Sequence, residues 1–143
     1  MTDSNKPTTL FWIIGVAALV WNGLGVMSYI GQAYMTDEVK AALPEAERAL
    51  YENVPTWVTA TFAIAVFAGL LGSAFLLMRK KLARPMFLLS LIAIIAQMSY
   101  NLFMSKAVEV YGPGSVVMPI MVIIIGVFLL MYSKKTIAKG WLL

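Results

Sequence analysis

Few side chains in this sequence are equipped for chemistry, and those few are amides and phenols set among apolar residues. Asn22, Gly25, Tyr29 and Gln32 recur at offsets that share one face of a helix. Ser90, Gln97, Tyr100 and Asn101 share one face of another by the same rule. An amide offers paired donors and acceptors, and an aromatic ring covers an apolar surface. Asn22, Tyr29, Gln32, Gln97, Tyr100 and Asn101, with Trp21 as a further wall, therefore make a candidate binding pocket for a neutral, hydroxyl-bearing molecule. The same amides could equally bond across helices and hold them together, a common use of such groups inside a membrane. With the helices starting at Leu10 and Pro85, Asn22 and Gln97 would each lie about 18 Å above the start, so the two faces are expected to meet in the outer half of the bundle, with Asn22 paired to Gln97.

The usual catalytic equipment is missing. The chain has no cysteine and no histidine, which removes thiol chemistry, disulfides, and the commonest general base and metal ligand. The expectation is a protein without enzymatic activity, with no catalytic residue, no metal and no cofactor. The net charge of +4 could point to nucleic acid, but the basic residues stand beside helix ends, which speaks against such a partner and for anionic headgroups.

The elements that must carry these residues are set by charge. Residues 7–36, 53–78, 85–105 and 110–133 contain no charged side chain, in runs of 30, 26, 21 and 24 residues. A helix needs about 20 apolar residues to cross a hydrocarbon core of about 30 Å. The runs lack the two-residue alternation of barrel strands. The fold class expected is all-α: a polytopic membrane protein with four transmembrane helices in an up-down bundle. The 143 residues form one transmembrane domain, residues 1–143, with spans near 9–35, 54–78, 84–105 and 115–133 and an outer loop at 36–53. The first apolar run is too long for a signal-peptide core of about 7–15 residues, so it is expected to remain as a helix.

The connections differ in charge. The first holds Asp37, Glu38, Glu45, Glu47 and Glu52 against Lys40 and Arg48; the second holds Arg79, Lys80, Lys81 and Arg84 with no acid. Lys134, Lys135 and Lys139 follow the fourth run, and Lys106 and Glu109 lie in the third connection. Positive loops stay inside, so both termini and the second loop are expected in the cytoplasm, with the first and third loops outside. Trp12, Tyr51 and Trp57 fit interfacial belts. Within the first loop, Thr36 can cap a short helix and Pro44 can open a second; Val39, Leu43, Ala46 and Leu50 then form an apolar stripe. Glu45–Arg48 and Arg48–Glu52 are spaced for surface pairs. The stripe suits a helix on the membrane surface or a lid over an outward pocket. Tyr111-Gly112-Pro113-Gly114 is turn chemistry.

In the second run, Ala65, Gly69 and Ser73 form a ladder of small residues, with Gly72 beside it, and close helix packing is the expected role. The fourth run is mainly Val, Ile, Leu and Met and is expected to face lipid most, or to meet another copy. Met27-Ser28-Tyr29 recurs as Met98-Ser99-Tyr100, a three-residue echo late in two helices. No ionisable residue falls within a span, which argues against a proton-driven pump.

Several of these residues carry a likeness. Trp21-Asn22-x-x-Gly25-x-x-x-Tyr29 and Pro55-x-Trp57 are followed by Ala65-Val66-x-x-Gly69-x-x-Gly72-x-x-x-Leu76-Leu77-x-Arg79. Ala83-x-x-x-Phe87-x-x-Ser90-Leu91 completes the pattern. Over roughly residues 20–100 the chain resembles a widespread bacterial family of small four-helix membrane proteins, often labelled sugar transporters. The resemblance implies that label and no mechanism. Many members carry an acidic residue just before the tyrosine, where this chain has Ser28. The functional expectation is a small integral membrane protein that binds or transports a small neutral solute such as a sugar. The alternative is a structural or accessory subunit of a larger membrane complex. A chain this small would need to work as a homo-oligomer to carry a solute across.

Overall fold

In the computed structural model the described residues are 6–52, 54–104 and 112–142, without the side chains of Tyr51, Glu52, Asn101, Met104, Pro113 and Ser115. Every regular element among them is helical. In order they are α1 (Thr9–Ala33), α2 (Asp37–Ala41), α3 (Glu45–Glu52), α4 (Thr56–Leu77), α5 (Ala83–Ser99) and α6 (Val117–Ala138). A π-helical turn, Tyr100–Met104, continues α5 without a break, and a 3-10 turn, Pro113–Val116, opens α6. Three helices, α1, α4 and α6, are long and apolar enough to cross a membrane.

Local chemistry sets the helix ends. The Thr8 hydroxyl accepts from the Phe11 amide at 3.3 Å, capping α1, and Thr36 caps α2 through the Val39 amide at 3.2 Å. Pro44 immediately precedes α3, where its missing N–H matters least. The spacing of Arg48 suggested ion pairs with Glu45 and Glu52. Its guanidinium donates to the Lys40 and Leu43 carbonyls, each at 3.2 Å, at the C-terminal end of α2; the Glu52 side chain lies outside the described residues. Arg48 thus joins α2 to α3. The helix of the fourth run reaches Ala138, five residues beyond the expected Ser133. Lys134 and Lys135 lie inside it rather than after it, since cations in a last turn complement the helix dipole and can reach out to an interface. Tyr51 as a belt residue, Lys106, Glu109 and Tyr111 lie outside the described residues or side chains.

Burial is inverted relative to a protein in water. Val20, Ile92 and Ile124 are 56%, 59% and 61% exposed, whereas Ser73, Ser133 and Thr136 are fully buried. Apolar side chains outside and small or polar ones between helices are the pattern of a bundle solvated by hydrocarbon. Helix α1 packs along α4, α4 along α5, and α5 along α6. A third of the most apolar stretch of α4 is buried (33%), against 22% for α1 and 11% for α6, and eight of the 17 residues of α5 are buried, so α4 and α5 lie in the middle of the bundle and α6 is the most exposed of the long helices.

The two ends of the bundle are built differently. One end, called the tail end here, holds the start of α1, the α4–α5 turn and residues 139–142. Both α4 and α6 stop there with the same pair of backbone bonds. Lys80 N–H donates to Phe75 at 2.8 Å and Arg79 N–H to Leu76 at 3.0 Å; Trp141 N–H donates to Thr136 and Gly140 N–H to Ile137, both at 3.0 Å. This motif needs a left-handed residue, and Gly140 (φ 76) and Arg79 (φ 59) supply it. Gly140 turns the chain back so that Trp141 and Leu142 are buried with Phe11, Leu76 and Phe87. The Phe11 ring meets Trp141 edge-on at 5.7 Å and Tyr132 at 6.3 Å. The Arg79 Nε donates to the Trp141 carbonyl at 2.8 Å, and Lys139 Nζ stands 4.8 Å above the indole. The opposite end, with α2 and α3, is the loop end. Its core is smaller: Ala65, Ala93, Ile94 and Met98, with Val122 and Ile123 against them.

Candidate functional site

The small residues of α4 create the site's floor. Ala65, Gly69, Gly72 and Ser73 are all buried on one side of this helix. A Cβ at Gly69 would run into the Asn22 Oδ1 and would come within 3.2 Å of the Ser90 Oγ. The glycine therefore makes room for an amide from α1, where backbone-to-backbone packing had been expected. At Gly72 the space goes to the Phe87 ring, 2.8 Å from where a Cβ would stand.

Asn22 uses both amide hydrogens. Its Nδ2 donates to the Ala18 carbonyl at 2.9 Å and to the Ser73 Oγ at 3.2 Å; Ser73 in turn donates to the Gly69 carbonyl at 2.9 Å. Ser90 crosses from α5 to α4, donating to the Ala65 carbonyl at 2.6 Å. These bonds tie three helices together. The partner expected for Asn22 was Gln97, but α1 packs against α4, so the amide meets α4 first.

Above this polar floor, toward the loop end, lies a cavity of about 380 Å³, within the range of small-molecule sites. Helix α1 contributes Trp21, Asn22, Leu24, Gly25 and Ser28. Phe62, Ala65 and Val66 come from α4; Ile94, Gln97 and Met98 from α5; Met118 and Val122 from α6. At Gly25 a Cβ would stand 3.0 Å from Val66 Cγ1, so the glycine lets α1 lie close to α4 beside the cavity. Phe62 to Val66 fall roughly 9–15 Å along α4 from Thr56, which places the space in the loop-end half of the bundle.

Gln97 is the distinctive group. It is only 7% exposed, and among the described residues no hydrogen bond reaches its amide. No fully sealed side-chain nitrogen or oxygen among the described residues lacks a partner. The little surface that Gln97 keeps is therefore at its amide, in the cavity it lines. The amide has a donor pair and an acceptor to offer and nothing among the described residues to take them.

The sequence-derived set divides accordingly. Asn22, Gln97 and Trp21 come together at the cavity. Tyr29 turns to α4, meeting Phe62 at 5.5 Å and Phe67 at 5.8 Å edge-on, and Tyr100 meets Trp57 at 5.9 Å. Neither tyrosine lines the cavity, and nor does Gln32. The Asn101 side chain lies outside the description; its backbone is in the π-helical turn. Met98 and Met118 were missed, since isolated methionines in apolar helices carry no positional signal. Among the described residues no group of acidic, histidine or cysteine side chains is placed to hold a metal ion. Comparison with family models, with curated proteins and with solved structures gives no match for this chain.

Proposed function

We propose that this chain is an integral membrane protein of a bacterial inner membrane that crosses it four times, with both termini cytoplasmic, and that it binds a small neutral solute in the loop-end cavity. The observation that carries the binding reading is the buried amide of Gln97, which has no partner among the described residues. A group of that kind is costly in an apolar interior unless something completes its bonds. Four crossings are supported by continuity: α5 and the π-helical turn together give helical backbone over 83–104, long enough at about 1.5 Å per residue to reach across the core. The orientation is supported by charge. Exposed Lys80, Lys81, Arg84, Lys134, Lys135 and Lys139 all sit at the tail end, whereas Asp37, Glu38, Glu45 and Glu47 sit at the loop end.

Transport, as opposed to binding, would need a second copy, because one bundle of this size has no separate halves to rock against each other. The likeness to the small four-helix bacterial family fits this reading. A second reading, a structural or accessory subunit, is favoured by the Asn22–Ser73 and Ser90–Ala65 bonds, which spend their polar groups on packing. Purification in mild detergent, with identification of small molecules and proteins that come with the chain, tests the two together. A small neutral molecule retained by the native protein and absent from Gln97→Leu supports binding. Stoichiometric protein partners with an empty cavity would support the subunit reading. Labelling of a cysteine introduced at Lys80 from outside intact cells would overturn the orientation.

A further inference from the structure

Helices α1 and α6 touch at the tail end through Phe11 and Tyr132, yet they face each other across the cavity at the loop end without packing along one another. Leu24 on α1 and Met118 on α6 form the rim, 56% and 58% exposed on the apolar flank of the bundle. The walls are Phe62, Val66, Ile94 and Val122, and among the described residues no charged side chain lines them. Resting on the binding reading above, we infer that the cavity takes a molecule with an apolar body and a single hydroxyl or carbonyl group, which enters sideways from the hydrocarbon between α1 and α6 and bonds to the Gln97 amide.

The chemistry follows from what the walls can satisfy. A hydroxyl can donate to the Gln97 carbonyl oxygen and accept from its amino group, and a carbonyl can accept from the latter. An anion or cation would lose its hydration with no opposite charge to meet it. A sugar would bring several hydroxyls against a lining that leaves most of them without partners. Asn22 adds little donor capacity, since both of its amide hydrogens are engaged by Ala18 and Ser73. An alkyl chain or ring, by contrast, matches the apolar walls and arrives from the solvent that surrounds the rim. Such a molecule could be a free alcohol or ketone, or the ester-bearing chain of a membrane lipid; the recognising chemistry is the same.

Trp21 in the cavity wall provides the readout. The full chain in detergent is titrated with 11-bromo-1-undecanol, whose bromine quenches a nearby indole, and with 1-bromoundecane. Wild type is compared with Trp21→Phe to assign the signal. The expected result is saturable quenching that Trp21→Phe abolishes, with the alcohol binding about five- to tenfold tighter than the alkane, as one amide hydrogen bond provides. Gln97→Leu should remove that advantage and leave the alkane unchanged. Gln97→Met, similar in length, should do the same, and helical circular dichroism of both variants checks that they fold. In bilayer discs of acyl-brominated phosphatidylcholine, relief of Trp21 quenching by added undecanol would mark a lipid chain as the resident molecule. No relief, with undecanol binding intact, would mark a free one. D-glucose that displaces the alcohol, or that binds where the alcohol does not, would overturn the apolar class while leaving a neutral-solute site in place. Failure of every probe to bind would overturn both.

Discussion

At the tail end of the bundle α1 and α6 are joined by three aromatic rings; at the loop end the same two helices stand apart around a cavity. The difference lies in side-chain volume and in where the chain is turned. Phe11, Tyr132 and Trp141 fill the tail end, and Gly140 brings the last of them back under the bundle. At the loop end the helices contribute Gly25, Ala65 and flexible methionines, with two aromatic residues, Trp21 and Phe62, in the lining. A closed end thus holds the four helices in register, and the open end can be hollow without loss of the fold. Polar groups follow the same division. The hydroxyls of Ser73 and Ser90 and the amide of Asn22 are bonded within the middle of the bundle, and the Gln97 amide, nearer the open end, has no partner among the described residues.

That contrast can be broken from either side. The largest effect is expected for Trp141→Ala, which empties the closed end and should cost about 3 kcal/mol of stability in reversible detergent unfolding. Gly69→Leu comes next, at about 2 kcal/mol or more, because it evicts the Asn22 amide from its seat. Gly126→Leu serves as its control: a Cβ there would meet only the tips of Leu91 and Ile94, at 3.1 and 3.3 Å, which can shift aside. Equal losses from the two glycine changes would show that the Asn22 seat is nothing special.

Asn22→Ala should cost about 1 kcal/mol, within the range of measured interhelical hydrogen bonds. Combined with Ser73→Ala it should be non-additive, since the second change removes a partner already orphaned. Combined with Gln97→Leu it should be additive. Gln97→Leu alone has the smallest expected effect on stability, near zero or slightly favourable, because its amide gives up no bond within the protein. A loss from Gln97→Leu as large as that from Asn22→Ala would place Gln97 among the packing groups and remove the sharpest distinction between the two ends.

Much of this arrangement is legible in the charge pattern. The uncharged runs anticipate the long helices to within a few residues at most ends, because ionised side chains are excluded from hydrocarbon. The end of α6 was misjudged for a related reason: Lys134 and Lys135 read as a boundary, although a lysine stem can run along an apolar surface while its ammonium reaches out. The pairing of Asn22 was beyond the sequence. Periodicity assigns a residue to a face, but not to the helix that face will meet, and α1 turned its amide to Ser73 instead of Gln97. Tyr29 and Tyr100 illustrate the same limit, since each shares a face with amides yet finds aromatic partners on α4. The cavity itself has no local signature, being the space left where four helices contribute small or flexible groups at one level.

The turn after α4 carries a last consequence. Arg79 holds the left-handed position that Gly140 holds after α6, and a residue with a Cβ there costs about 1 kcal/mol or more relative to glycine. Its guanidinium also anchors the Trp141 carbonyl, and a charged hydrogen bond is worth about 1.5–3 kcal/mol at most. Arg79→Gly would relax the turn and release the tail in the same stroke, two effects of similar size and opposite sign. A melting curve could therefore look almost unchanged while the closed end had become a mobile one. Amide hydrogen exchange at Gly140 and Trp141 would reveal what the thermometer hides, so at this corner of the molecule an unaltered midpoint is no proof of an unaltered structure.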